Sequence, residues 1–101
     1  MIRTDPLGPV HPAEHLVEDF LKPLGMTEQQ TAEALQLSVE ALRPFLRELA
    51  PLTGDLALRL EKAFGNDAEY WMRWQSRYEL EVARDRGVPD LPRVPGLLAA
   101  E

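Results

Sequence analysis

The sequence predicts an all-α domain of five helices, and three observations carry that expectation. Apolar residues recur at helical spacing, most clearly Val39, Leu42, Phe45 and Leu46 and then Trp71, Trp74, Tyr78 and Val82. Thr27, Ser38 and Thr53 each stand immediately before such a stretch, where a side-chain oxygen satisfies the first free backbone N–H groups. No stretch alternates apolar and polar residues as a half-buried strand does.

Taken in order, residues 1–10 contain Pro6, Gly8 and Pro9, lack periodicity and read as a flexible arm. His11-Pro12 opens the first helix, with proline at an early position where its missing N–H is not needed. Leu16, Phe20 and Leu21 give its apolar face, Glu14, Glu18 and Asp19 face water, and Pro23 and Gly25 stop it. Thr27 and Gln30 form a capping box for the second helix, whose apolar positions are Ala32, Ala34 and Leu35. Ser38 caps the third, which places Val39, Leu42, Phe45, Leu46 and Leu49 on one stripe. Glu40, Arg43, Pro44 and Arg47 share its opposite side. Pro44 removes a backbone bond at a cost of about 3 kcal/mol, so a kink or an irregular first turn is expected.

Pro51 ends the third helix and Thr53 caps the fourth, with Leu56, Leu60 and Phe64 (or Leu58 for part of the face) inward and Gly65 at its end. Asn66 or Asp67 caps the fifth and longest helix, which runs from Ala68 to about Arg86 and stops at Gly87 and Pro89. Residues 11–87 thus form the helical domain, and residues 88–101 a tail with three prolines.

At 101 residues and 45% hydrophobic, the chain is one domain's worth and able to bury a modest core. It has no cysteine, hence no disulfide, thiol nucleophile or cysteine zinc site, which fits a cytoplasmic address. Neither a bilayer-length apolar stretch nor a signal-peptide pattern is present. The net charge is −6, and its distribution matters more than its sum. Residues 12–42 hold Lys22 against Glu14, Glu18, Asp19, Glu28, Glu33 and Glu40, while acids and bases cancel over residues 43–86. A general nucleic-acid binder shows a basic footprint, and none is visible. The acidic half suits either a basic protein partner or plain solvation.

Enzyme motifs are missing: no glycine-rich phosphate loop and no nucleophile elbow. His11 and His15 have metal-ligand spacing, and Glu14 and Glu18 lie nearby, but the ligand set is incomplete. A helix-opening histidine and an exposed one are expected instead, with no cofactor and no metal. The aromatic stripe of the fifth helix reads as core at Trp71 and as core or dimer contact at Trp74 and Tyr78. Arg43 and Arg47, four apart on the exposed side of the third helix, suit phosphate or guanine. Glu40 accepts from cytosine or pairs with Arg43, and Glu28 sits where a carboxylate repels the DNA backbone.

The segment His11-Pro12-Ala13-Glu14, followed by Phe20-Leu21-Lys22-Pro23-Leu24-Gly25, resembles the opening of HigA-type antitoxins. These are Xre-type, lambda-repressor-like helix-turn-helix proteins of bacterial toxin–antitoxin modules. Thr53-Gly54-Asp55-Leu56-Ala57-Leu58-Arg59-Leu60, Ala63-Phe64-Gly65, Glu69-Tyr70-Trp71 and Gln75 are similar to the family's second half, so the resemblance covers about residues 11–80. The middle departs from the pattern. Gln36 stands where the family usually has glycine, Val39 and Glu40 replace a polar run, Thr31 replaces a core leucine, and Arg47 to Pro51 replaces Asn-Gly and basic residues.

The resemblance implies an antitoxin that neutralises a basic RelE-like ribonuclease toxin and represses its own operon as a DNA-binding homodimer. It places Ser38, Glu40, Arg43 and Arg47 at operator DNA, and the fifth helix offers Trp74, Tyr78 and Val82 as the dimer interface. Glu28, Glu40 and Pro44 point to weakened or atypical DNA recognition. Two alternatives stay open: a stand-alone helix-turn-helix regulator, and a protein-interaction module that has lost DNA binding.

Overall fold

Five helices follow one another in the computed structural model, which describes residues 8–96. Helix α1 begins as Pro12–Leu16, passes through a π-helical turn at Val17–Leu21 and closes as Lys22–Leu24. Helices α2 (Glu28–Leu35), α3 (Val39–Leu46), α4 (Gly54–Phe64) and α5 (Ala68–Arg86) come next, and no strand occurs among the described residues. The expected arm lies outside the described residues over 1–7, as does the tail over 97–101. Residues 88–94 form no regular element and are exposed.

The caps form as their residue types dictate. Thr27 and Gln30 complete a reciprocal capping box, and the side chains of Ser38, Thr53 and Asp67 accept from the backbone N–H three residues on. Of the two candidates for the last cap, Asp67 is the one used. Helix α1 runs through Pro23 and stops at a left-handed Gly25, φ 69°, where the Pro23 and Gly25 pair placed its end. The π turn precedes that proline, with Lys22 N donating to the carbonyl of Val17. Pro23 has no N–H to offer Asp19, and its ring would crowd that carbonyl in a regular helix.

Leu16, Leu21, Leu35, Leu42, Phe45, Leu52, Leu56, Leu60 and Trp71 meet in one core, with α5 laid across α4 and α1. Thr31 is fully buried, and its hydroxyl is satisfied there by donating 2.8 Å back to the carbonyl of Thr27. Three residues expected on apolar faces are not in the core. Ala34 is exposed, Leu58 points outward from α4, and Leu49 is 81% exposed because α3 has ended before reaching it.

Three buried polar side chains tie the helices together. His11 caps α1 by accepting from Ala13 N through Nδ1 (3.0 Å), so its Nε2 carries the proton and donates to the carbonyl of Ala50 (3.1 Å). Its ring packs between Phe45 and Tyr78. His15 is buried rather than exposed. Its Nδ1–H donates to Asp19 (2.7 Å), its Nε2 accepts from the Tyr70 hydroxyl (2.6 Å), and its ring stacks on Trp74 with centroids 4.1 Å apart. Gln75 accepts from Leu52 N through Oε1 (2.8 Å) and donates to Glu79 (2.6 Å).

Burial depresses the pKa of both histidines below 6.5; Glu48 and the Ala50 carbonyl partly offset this at His11, and Asp19 does so at His15. A histidine held neutral in the folded state binds fewer protons than in the unfolded chain. Its stabilising contribution is therefore complete above pH 6.5 and is lost as pH falls through the depressed value. The thermal midpoint should drop between pH 7 and pH 5, and His15→Gln should flatten that dependence in a calorimetric pH series. Gln75→Leu should cost about 1–3 kcal/mol in urea denaturation, because it strands the buried amide of Leu52.

Candidate nucleic-acid interface

Helices α2 and α3 are joined by Gln36, Leu37 and Ser38, and the turn works without glycine. Gln36 adopts the left-handed conformation, φ 57° and ψ 46°. Its N–H donates to Glu33 (3.1 Å) and that of Leu37 to Ala32 (2.9 Å), which satisfies the last carbonyls of α2. Arg59 of α4 completes the turn. Its Nη1 donates to the carbonyls of Leu35 (2.7 Å) and Gln36 (3.2 Å), while its Nε holds Asp55 (2.8 Å). The angle between α2 and α3 is thus fixed from a third helix.

Helix α3 buries Leu42 and Phe45, with Val39 and Leu46 half-buried beside them. Glu40, Ala41, Pro44 and Arg47 are exposed, and Arg43 is half-buried. The first turn is regular, with Ser38 Oγ accepting from Ala41 N (3.1 Å) and Leu42 N donating to Ser38 O (3.1 Å). Helical backbone is continuous from Val39 to Leu46, and the irregularity falls after it. Glu48 turns left-handed at φ 61°, and the N–H of Leu49 reaches back to the carbonyl of Pro44 (2.8 Å). The carbonyl of Glu40, deprived of its partner by Pro44, belongs to an exposed residue that water reaches.

The electrostatics of this face centre on Glu28, the first residue of α2. Its Oε1 accepts from Arg43 Nε (3.2 Å), and its Oε2 lies 3.9 Å from Arg47 Nη2. Of the two roles open to Glu40, pairing with Arg43 is taken by Glu28 instead. All three side chains are partly exposed, between 40% and 59%, so the pairing adds little to stability and mainly sets where the guanidinium groups sit. Of the residues expected at DNA, Arg43 and Arg47 come together around Glu28, while Ser38 and Glu40 are exposed at the start of the same helix. With Glu28 included, the set holds two bases against two acids.

The residues expected at a dimer contact lie on α5. Trp74, Tyr78 and Val82 are all half-buried, the first against His15 and the second against His11. Tyr70, Arg73, Trp74, Arg77, Leu80 and Arg84 line a shallow groove along the outer side of the same helix. Its apolar wall includes Leu80, which is half-exposed. His11 and His15 are committed to internal bonds, and no group of three or more metal-ligating side chains occurs among the described residues. No helix among them is long and apolar enough to cross a membrane.

Sequence spacing did not reveal the bond between Glu28 and Arg43, which are 15 residues apart, nor the reach of Arg59 across 24 residues to Leu35. A local signal did exist for His15. Asp19 stands four residues on, one helical turn away.

No protein-family model matches the chain. The chain is 40% identical over 74 residues to virulence-associated protein I of Dichelobacter nodosus, covering 73% of this chain and 68% of that protein. It is 32% identical over 78 residues to antitoxin HigA-1 of Vibrio cholerae, covering 77% and 73%. Among solved structures, the Pseudomonas aeruginosa antitoxin HigA with the higBA promoter superposes with a TM-score of 0.73 at 33% identity, covering 77% of this chain and 85% of that one.

Left-handed backbone strains a side chain with a Cβ, and that of Gln36 is exposed. Gln36→Gly should stabilise the domain by up to about 1 kcal/mol, read as a higher urea midpoint with an unchanged slope.

Proposed function

The chain belongs to the HigA-type antitoxin family, and from that membership we propose that it is an antitoxin that neutralises a basic ribonuclease toxin of the RelE-like kind and represses its own operon as a homodimer. The observation that carries the DNA half is the α2–α3 unit itself. A second helix capped by Ser38 presents Arg43 and Arg47 outward, held at a fixed angle by Arg59, and the related HigA was solved with promoter DNA. In this reading α3 enters the major groove, where Ser38, Glu40, Arg43 and Arg47 meet bases and phosphates. A two-fold dimer then requires half-sites about 34 Å apart or a multiple of that spacing.

Dimer formation through α5 is supported by the half-exposed Leu80 and by the parts of Trp74, Tyr78 and Val82 that the core leaves uncovered. The acidic run from Glu14 to Glu40 complements a basic toxin. In domain terms, residues 11–87 carry the helix-turn-helix unit, flanked by an arm and a Pro-rich tail. One observation favours the alternative of a protein-interaction module: both arginines of α3 are already engaged by Glu28.

A gel-mobility experiment at low salt with the protein's own upstream region separates the two. A shift is expected, reduced at least tenfold in the Arg43→Ala/Arg47→Ala double variant; no shift, at the ionic strength that favours phosphate contacts most, overturns the groove-reading role. The toxin half is tested through the neighbouring gene. A short basic reading frame whose product co-purifies with this chain supports it, and the lack of any such product overturns it.

A further inference from the structure

We propose that Glu28 sets the DNA selectivity of this domain, by aligning Arg43 for a guanine edge while opposing sequence-independent phosphate contacts. The inference rests on α3 entering the major groove, as proposed above. Three features of the geometry carry it. Glu28 is the first residue of α2, the end of the helix that faces a DNA backbone in this arrangement, and its carboxylate repels phosphate there. The same carboxylate takes Arg43 through Nε at 3.2 Å. That bond fixes the guanidinium plane and leaves the terminal nitrogens for the O6 and N7 acceptors of guanine, which require two parallel donors. Arg47 stands 3.9 Å from the other carboxylate oxygen, a looser pairing that a phosphate can replace.

The two effects act in opposite directions on the two modes of binding. On a random duplex, affinity comes from cations meeting phosphates, and Glu28 subtracts from that attraction. On the correct site, the orientation of Arg43 is already set before binding, which offsets the loss. Selectivity, the ratio of the two affinities, is what the carboxylate raises. This accounts for an otherwise awkward composition, in which a DNA-facing surface carries as many acids as bases. Glu28 is a positioning residue here, acting through Arg43.

The test uses the full chain, wild type and Glu28→Gln, with fluorescence anisotropy on the upstream region and on a scrambled duplex of equal length, across a salt series. Glutamine keeps the shape and an acceptor oxygen but removes the charge, and matching thermal midpoints establish that the fold is intact. The variant should bind the scrambled duplex roughly three- to tenfold more tightly with a salt slope steeper by about 1, and bind the upstream region with little change. In an Arg43→Ala background the same substitution should leave the selectivity ratio unmoved. An unchanged ratio in the single variant overturns the proposal, as does equal tightening on both duplexes, which would make Glu28 a plain charge brake. Failure of both proteins to bind either duplex at low salt removes the groove-reading role, and this inference falls with it.

Discussion

The loop between α3 and α4 is the constraint on which the rest of the structure depends. It must turn the chain beneath the outward-facing helix, and it contains Pro51, which has no N–H to share. The polar groups on either side of that proline are satisfied from outside the loop. His11, at the start of α1, donates to the carbonyl of Ala50, and Gln75, in the middle of α5, accepts the amide of Leu52. With those bonds made, Leu52 enters the core beside Phe45 and Trp71, and the first and last helices clamp the loop between them. An unsatisfied group at either position would cost more than a typical hydrogen bond contributes. His15 extends the same seam, joining Asp19 on α1 to Tyr70 on α5.

This arrangement separates the scaffold from the surface it presents. Leu42 and Phe45 root α3 in the core, Arg59 sets its angle to α2, and none of these residues depends on what the opposite side carries. That independence explains how Pro44, Glu40 and Glu28 coexist with an intact helix-turn-helix unit. Pro44 stands on the exposed side, so its ring meets water rather than the core, and Glu40, whose carbonyl it deprives of a donor, is exposed as well. The short α3 then ends through a left-handed Glu48, which turns Leu49 out into solvent.

Much of this was legible in the sequence, because caps and helical periodicity are local signals. Thr27, Ser38 and Thr53 begin helices where their side chains say so, and Leu16, Leu42, Leu60 and Trp71 bury as their spacing requires. Periodicity failed where the backbone departs from 3.6 residues per turn. The π turn at Val17–Leu21 lies just past the buried His15, and the left-handed Glu48 cut Leu49 off its expected stripe. Non-local pairing was the other blind spot. Glu28 was visible as an unhelpful charge near DNA, but only the packing of α2 against α3 shows that it grips Arg43 and approaches Arg47. The same holds for the dimer candidates, since Trp74 and Tyr78 are already partly spent on the two histidines.

The central claim is that α3, with Glu28 beside it, is the surface that meets DNA. Amide and arginine side-chain NMR shifts, followed while the protein is titrated with a duplex of its own upstream region, address it most directly. The account predicts that the largest changes fall on Ser38 to Arg47 and on Glu28, with the Nε–H signal of Arg43 among them, while the interior amides of α5 stay in place. Changes confined to α5 or α1, with α3 unmoved at saturating duplex, would contradict it.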